Sequence, residues 1–392
     1  MLRPLFLILL IASGALISSA ETRRDSIVSS FEIGVHTGYA LSSHPLMTPL
    51  MPEGTRPAHI ASGAHLRYSV SGIGPERTRS VSQGIGLSAT TFFRPKTVGT
   101  PVGLYLFQRA PIKIFSRRLM LTYEWNFGIT TFWHKTSTLS DIRTNLIVGS
   151  PANAVITLSF PFVYKISPQV ALLLAPEITH YSNGNTSWPN PGVNSLGINV
   201  GVLYTPAPIS VPTVNPFASD PSFRRSFSVD LTLYGAWRKS YLPADGGSFT
   251  PEGEQLLLPG HFGVAGVMAS PMWHLHPTFR TGPSLDLQWN GNSSLIPTPD
   301  GAERRFTRPC FLRQISAGIS ARAELVMPIF AINLGLGYGL LGPHATRTFY
   351  QMANLKISLP SSPVYLNIGY RFIRFRSPSN LMLGFGMTFP KR

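Results

Sequence analysis

A histidine and a serine two positions apart, His180 and Ser182, open a polar stretch at residues 180–195 of this 392-residue chain. A serine hydroxyl becomes an effective nucleophile when an adjacent base takes its proton, and histidine is the usual base. A third polar group must then hold the imidazole ring, and asparagine serves this purpose in some such sites. Asn194, near the end of the same stretch, is the candidate for that role. These residue types predict ester hydrolysis or another acyl transfer.

Two further asparagines in the stretch, Asn183 and Asn190, are candidate oxyanion donors, because a side-chain amide can donate a hydrogen bond to a developing negative charge. Asn, Gly, Pro and Ser are also the most common turn formers. The same residues could therefore form an ordinary loop between two strands. The directions in which His180 and Ser182 point distinguish the two interpretations.

The chain is poor in charged residues, at 13%, without being unusually apolar, at 43%. Its net charge of +16 reflects a shortage of acidic residues and not runs of Lys or Arg. No basic cluster is interleaved with aromatic residues, which argues against a nucleic-acid partner. A basic exterior favours an anionic surface, such as phosphorylated lipid headgroups. Cys310 is the only cysteine, so the chain can form neither an internal disulfide nor a cysteine-rich metal site.

Residues 1–20 have the features of a secretory signal peptide. Arg3 supplies a positive charge, residues 5–17 are apolar, and small residues precede a cleavage site near Glu21. An N-terminal membrane anchor is the alternative, but the apolar run is short and ends in small residues. After residue 20 no stretch approaches the roughly 20 apolar residues that a spanning helix needs. We therefore predict an exported chain that is either soluble or a membrane barrel.

A two-residue alternation of apolar and polar side chains runs through most of the chain. Residues 226–237, 329–340 and 381–389 are clear examples. The polar face carries Gly, Asn, Ser and Thr, with few of the Lys and Glu residues that a water-facing sheet would show. The strands are about 9–12 residues long, and tight turns alternate with long loops. These features are typical of outer-membrane β-barrels.

We therefore predict an all-β protein, a transmembrane antiparallel β-barrel of about 16 strands, with about 12 to 14 as the alternative. Residues 21–205 would form the half that carries the active-site hairpin. Residues 206–225 would be a Pro-rich connection, and residues 226–392 the second half. The predicted location is the outer membrane of a Gram-negative-type bacterium. The sequence leaves the oligomeric state open.

The alternation also predicts the direction of the candidate site. Even-numbered residues are apolar over 170–178, and His180 and Ser182 continue that row. The apolar row of the strand after the loop, extended backward by two residues, includes Asn194. In a barrel with a polar interior these rows face lipid. Polar groups there are costly without a function, and the position suits the acyl esters of membrane lipids.

The motif His180-Tyr181-Ser182-Asn183, followed by Asn190 between two prolines, resembles the signature of the lipid A 3-O-deacylases. These PagL-type, acyloxyacyl hydrolase-like proteins are outer-membrane esterases. The resemblance covers about residues 31–205 and does not extend to the second half.

The resemblance implies that His180 is the catalytic base and Ser182 the nucleophile, with Asn183 and Asn190 helping to build the oxyanion site. It implies calcium-independent hydrolysis of the ester-linked 3-hydroxyacyl chain at position 3 of lipid A. The substrate would be lipid A or lipopolysaccharide, and no metal or other cofactor is expected. Asn194 stands where the family pattern has a glutamate.

Two other functions stay open from the sequence. A 16-stranded barrel could enclose an aqueous lumen, and Glu124, Asp230 and Asp286, on inward faces, would suit the lining of a channel. Alternatively, an inactive relative would bind lipid A without cleaving it.

His274 and His276 share one face of a predicted turn and could form a metal pair. Zinc sites usually need a third or fourth protein ligand, and none lies nearby in the sequence. We therefore expect an ordinary turn at this position.

Overall fold

The computed structural model describes residues 27–41, 60–73, 78–93, 95–96, 98–135, 149–184, 186–187, 192–207, 217, 221–239, 241–242, 256–257, 260–297, 306–359, 362–374 and 377–390. The predicted signal peptide and Asn190 lie outside the described residues. The chain forms two compact units, and each contains its own β-sheet ring.

The first unit is a ring of antiparallel strands in which strands at adjacent positions pair and the first strand pairs with the last. Its strands are β1 (Val28–Leu41), β2 (Ile60–Ser71), β3 (Ser82–Thr91), β4 (Gly99–Ile114), β5 (Leu119–Trp133), β6 (Asn153–Ser159), β7 (Phe162–Lys165), β8 (Val170–Ser182) and β9 (Val193–Tyr204). Strands β6 and β7 occupy one position in the wall, because both pair with β5 and β8. Pro161, which lacks a backbone N–H, lies at the break between them.

The second unit is a closed eight-stranded barrel. Its strands are β10 (Ser226–Arg238), β11 (Tyr241–Leu242), β12 (Leu256–Leu257), β13 (Phe262–His276), β14 (Phe279–Asn290), β15 (Ile296–Pro297), β16 (Phe306–Thr307), β17 (Ile315–Val326), β18 (Phe330–Leu341), β19 (Phe349–Ser358), β20 (Val364–Ile373) and β21 (Ser377–Pro390). The pairs β11–β12 and β15–β16 are small ribbons outside the ring, and β10 pairs with β21 to close it. Two short 3-10 turns, Phe311–Gln314 and His344–Thr346, precede β17 and β19.

The prediction of an all-β antiparallel barrel protein is confirmed, and the two rings together supply sixteen strand positions among the described residues. The strands do not form a single ring, however. Strand β1 pairs with β9 over eleven residues, and β10 pairs with β21 over eight. Each half is therefore a complete barrel. Alternation along a strand predicts its two faces, but it does not say which strands close a ring.

The side chains show the same division between faces in both barrels. Outward rows carry exposed apolar residues, such as Leu172 and Leu174 in β8 and Leu334 and Leu336 in β18. This pattern is the one expected where hydrocarbon surrounds a barrel and the interior is polar. No helix among the described residues has the length and apolar character needed to cross a membrane.

Each barrel has short connections at one end, such as 166–169 in the first barrel and 277–278 in the second. Longer connections lie at the other end and include 134–152 and 291–314. We call these the turn end and the loop end. In outer-membrane barrels the longer loops face outward from the cell.

The interior of the first barrel holds a cluster of paired charges. Arg67 lies 2.8 Å from Glu32 and 2.9 Å from Glu124, and Arg109 also contacts both carboxylates. All four side chains are nearly inaccessible to solvent. Two guanidinium groups thus balance two carboxylates in a space that side chains fill.

The interior of the second barrel also pairs two cationic side chains with two carboxylates. Lys356 lies 2.7 Å from Asp230 and 2.6 Å from Glu324, and Arg280 contacts the same two carboxylates. Separately, Arg322 lies 2.7 Å from Asp286.

Three carboxylates considered above as a channel lining, Glu124, Asp230 and Asp286, do face inward, but each is buried and paired with a cation. An eight-stranded barrel is just wide enough for side chains to fill it. The interior geometry therefore does not favour a water-filled channel through either ring.

Replacing Glu324 with leucine should destabilise the second barrel by about 3–5 kcal/mol, since Arg280 and Lys356 would share the one remaining carboxylate of Asp230. The measurement is the urea midpoint of the refolded protein in lipid vesicles, read from the heat-dependent shift of the folded band on gels. The control is Ile319→Val on the lipid-facing wall, where a smaller effect is expected. Equal midpoints for the two variants would contradict the assignment of Glu324 to an essential buried pair.

Candidate active site

The candidate residues lie at the loop end of the hairpin formed by β8 and β9. These strands pair antiparallel, and the register sets His180 directly opposite Asn194 and Tyr181 opposite Val193. Ser182 is the final residue of β8. The register thus brings together two residues that are fourteen positions apart in the sequence.

A short hydrogen bond joins the two opposed side chains: His180 Nδ1 lies 2.7 Å from Asn194 Oδ1. An amide oxygen only accepts, so Nδ1 of a neutral imidazole must carry the proton and donate it. The other ring nitrogen, Nε2, then has the lone pair. This is the tautomer that a general base needs in order to take a proton from a hydroxyl.

The trio faces away from the barrel interior. On the same outward rows, Ile178 is 53% exposed and Leu196 is 51% exposed. His180, Ser182 and Asn194 continue these rows and are half-buried at the strand ends. The structure therefore places all three on the wall that the alternation predicted, next to apolar side chains.

Ser182 lies opposite Ala154 of the neighbouring strand β6, and His180 lies opposite Ile156. Residues two apart on one face of a strand are separated by about 6.6 Å along the backbone, so their side chains lie side by side. Ala154, the residue paired with Ser182, adds only a small side chain beside it on the wall.

Gly192 lies against the imidazole ring of His180. Its φ is +72°, a left-handed conformation that favours glycine. A Cβ built at this position would lie 2.8 Å from His180 Cε1. A glycine is thus required both by the backbone and by the close approach of the ring.

Tyr181 anchors the site from inside the barrel. It lies between His180 and Ser182 in the sequence and points the opposite way, where it is 7% exposed. Its ring packs on Trp133 at 5.2 Å and on Phe92 at 6.2 Å. The aromatic cluster holds the end of β8 in place, so the two flanking side chains are directed outward.

The residue pattern did not indicate that Tyr181 anchors the site or that Gly192 contacts the imidazole ring of His180. The inward parity of Tyr181 was available from the alternation, but its aromatic partners come from β5 and from the segment just after β3. The contact of Gly192 with the imidazole depends on the path of the loop, which residue types do not specify.

The two predicted oxyanion donors have different outcomes. Asn183 directly follows β8 and is buried, at 6% exposure. Asn190 lies outside the described residues. Their roles as oxyanion donors stay predictions.

The two histidines of the predicted turn contact hydroxyl groups. His274 Nε2 lies 2.9 Å from Ser228 Oγ, and His276 Nδ1 lies 2.8 Å from Thr278 Oγ1. Within the ranges that the structure describes, no group of three or more His, Cys, Asp or Glu residues is arranged to hold a metal ion.

Two closed antiparallel rings with apolar outer rows define a β-barrel membrane protein of the outer-membrane type. Comparison with protein families gives a more specific result. Residues 67–202 match the family described as lipid A 3-O-deacylase (PagL), and residues 227–392 match the acyloxyacyl hydrolase C-terminal domain (PagL_C). The predicted family resemblance is confirmed, and it extends to the second barrel, where the sequence motif gave no indication. Both halves of the chain are thus similar to PagL-family models.

Solved structures show weaker similarity. The outer-membrane enzyme PagL matches with 13% identity and a TM-score of 0.28, covering 43% of this chain and 97% of that chain. The FrpB iron transporter from Neisseria meningitidis (F3-3 variant) matches with 12% identity and a TM-score of 0.23, covering 92% of this chain and 61% of the transporter. The siderophore receptor PirA from Pseudomonas aeruginosa matches with 9% identity and a TM-score of 0.23, covering 92% and 80%. Comparison with curated protein sequences gave no match.

Changing Gly192 to alanine should displace the imidazole of His180 and break its hydrogen bond to Asn194. The left-handed backbone should add a cost of about 1–2 kcal/mol to folding. Two measurements test this: the urea midpoint, and the rate at which diethylpyrocarbonate modifies His180, followed by peptide mass spectrometry. We expect a lower midpoint and faster modification.

The matched control is Gly201→Ala in β9, where the nearest atom to an added Cβ, the carbonyl oxygen of Ile33, lies 3.3 Å away. This variant should leave the modification rate of His180 unchanged. If both variants change the modification rate of His180 equally, Gly192 does not hold the imidazole ring in position.

Proposed function

We propose that the protein is an outer-membrane esterase that removes the 3-O-linked acyl chain of lipid A, with Ser182 as nucleophile and His180 as general base. The observation that carries this proposal is the 2.7 Å hydrogen bond between His180 and Asn194 on the lipid-facing wall. It supports a base of the correct tautomer at a place where lipid esters are the neighbouring molecules. The match of residues 67–202 to the lipid A 3-O-deacylase family supports the same reaction.

In the first half of the proposed reaction, Ser182 Oγ attacks the ester carbonyl carbon while its proton passes to His180 Nε2. The carbonyl oxygen becomes an oxyanion, which Asn183, Asn190 or backbone N–H groups of the loop would stabilise by hydrogen bonds. The tetrahedral intermediate collapses when the bond to the sugar oxygen breaks. His180 returns the proton to that oxygen, which leaves as the free hydroxyl of the sugar.

In the second half, water replaces the alcohol. His180 takes a proton from the water, whose oxygen attacks the acyl-serine ester. When this second intermediate collapses, the bond from the acyl carbon to Ser182 Oγ breaks, His180 returns its proton to that oxygen, and the fatty acid is released. The overall reaction consumes one water and needs no metal or redox partner.

The surface around the trio suits an acyl substrate. Ile156, Ile178 and Leu196 are exposed on the same wall, and they adjoin the site on β6, β8 and β9. An acyl chain that moves from the surrounding lipid onto these residues would stay in contact with apolar groups, so the free-energy cost would be small. The ester group would then reach the polar strand ends, as in the outer leaflet of the membrane.

Asn194 acts as a positioning residue. A neutral amide fixes the ring and its tautomer, but it stabilises the imidazolium formed during the reaction less than a carboxylate would. The proposed enzyme therefore works without the charged third residue that the family pattern contains.

Ser182→Ala should abolish deacylation, because no other group would form the acyl intermediate, and His180→Gln should lower the rate by at least about a hundredfold. The assay is mass spectrometry of lipid A from cells that express each variant. Tandem fragmentation identifies the position of the lost chain. The control is Ser195→Ala, which removes a hydroxyl one strand away on the interior face.

Wild type and Ser195→Ala should both release one 3-hydroxyacyl chain from position 3. Retention of every acyl chain with folded wild-type protein would overturn the esterase proposal and leave an inactive lipid A binder. Loss of a chain from another position would refute only the assignment to position 3.

Asn194→Asp should raise the deacylation rate by about tenfold, because a carboxylate beside His180 stabilises the imidazolium of the transition state. Asn194→Leu, which cannot accept a hydrogen bond from Nδ1–H, should lower the rate by at least about a hundredfold. Purified protein and a chromogenic acyl ester in mixed micelles give both rates, with kcat and KM determined separately. The effects should appear in kcat. A purely structural role for Asn194 predicts that aspartate and leucine impair the enzyme equally.

A further inference from the structure

The loop end of the second barrel carries two exposed arginines on adjoining connections. Arg347 precedes β19, and Arg374 follows β20. Strands β19 and β20 pair along their length, with Tyr350 opposite Ile373, so the two arginines lie at the same end of neighbouring strands. They form one basic site that the proposed esterase reaction does not use.

Both guanidinium groups are held by their Nε atoms. Arg374 Nε donates to Thr348 Oγ1 at 2.8 Å, and Arg347 Nε donates to the carbonyl oxygen of Gly342 at 3.0 Å. The backbone N–H of Arg374 also donates to the carbonyl oxygen of Phe349 at 3.1 Å. Arg374 has a φ of +52°, an uncommon conformation for a residue with a side chain. The Nε atom of each guanidinium group is thus held by the protein, and the terminal nitrogens are the atoms that would bind a ligand.

No carboxylate among the described residues lies within salt-bridge distance of Arg347 or Arg374. The contrast with the barrel interior is clear, since Arg280 and Arg322 there are paired with carboxylates. His344, on the same connection, is also exposed. The described part of the site therefore carries positive charge that no described carboxylate neutralises.

An apolar surface adjoins this positive site on the outer wall. Phe349 is 57% exposed, and its ring packs edge-to-face on Tyr338 at 5.1 Å. Leu336 and Leu340 lie on the same outward row of β18 as Tyr338. Aromatic residues of this kind mark the boundary between headgroups and acyl chains in membrane barrels.

We propose that Arg347 and Arg374 bind the phosphate of a phosphorylated glycolipid of the outer leaflet, while Tyr338 and Phe349 contact its acyl chains. Arginine matches phosphate oxygens by charge and by its planar array of N–H donors. The longer loops place this end in the outer leaflet, whose lipids combine anionic headgroups with apolar chains. The second barrel thereby holds a lipid by its headgroup, independently of Ser182.

The test measures lipid binding by full-length protein in detergent micelles. A Ser182→Ala background prevents hydrolysis of the probe. The probe is bis-phosphorylated lipid A, compared with the same lipid after removal of its phosphates, and native mass spectrometry gives the dissociation constants. The double variant Arg347→Gln/Arg374→Gln should bind the phosphorylated lipid at least about tenfold more weakly, since it loses two cationic contacts with the phosphate.

The matched control removes two exposed arginines from the turn end of the first barrel, as Arg117→Gln/Arg118→Gln. This variant has the same net charge as the test variant and should retain the parental affinity. The heat-dependent gel shift confirms that both variants are folded.

Three results would overturn the proposal: unchanged affinity in the Arg347/Arg374 variant, equal binding of the phosphate-free lipid, or an equal loss in the Arg117/Arg118 control. The outcome is separate from that of the esterase proposal. Lipid A that stays intact with wild type would refute the esterase, whereas phosphate-dependent binding through Arg347 and Arg374 would still support this site.

Discussion

The need to pair every backbone polar group determines this structure. Hydrocarbon offers no hydrogen bonds, so a strand wall is stable there only when its first and last strands also pair. In the first barrel β1 meets β9, and in the second β10 meets β21. Closure holds every strand in a fixed register with two faces. The outward direction of His180, Ser182 and Asn194 follows from that register, with Tyr181 anchoring the opposite face.

The narrow interior explains why chemistry is expected on the outside. Each ring has room for side chains but not for a wide aqueous path. Its buried carboxylates are neutralised by buried cations, as Glu324 is by Lys356 and Arg280. Such clusters tolerate little rearrangement, because removing one partner leaves an uncompensated charge. The wall and its rim are free of that restriction, and both proposed lipid sites are placed there.

Much of the fold could be predicted from the sequence, because a period of two is a direct record of which side chains face lipid. The same parity predicted the face of His180 and Ser182. Other features depend on distant pairing. Whether sixteen strands form one ring or two depends on which edges meet, and local alternation is identical in either case. Predicting the hydrogen bond between His180 and Asn194 would have needed the register of the hairpin. Predicting the contact between Gly192 and the imidazole ring would have needed the path of the loop.

The pairing of β1 with β9 also bears on how the polypeptide is assembled. Every strand of the first ring lies before residue 205, so its seam can be completed without any residue of the second ring. Each of the two rings therefore has its own seam, and each seam can form independently of the other. In this respect the polypeptide corresponds to two small barrels joined in one chain, with the Pro-rich residues 206–225 between the strands of the first ring and those of the second.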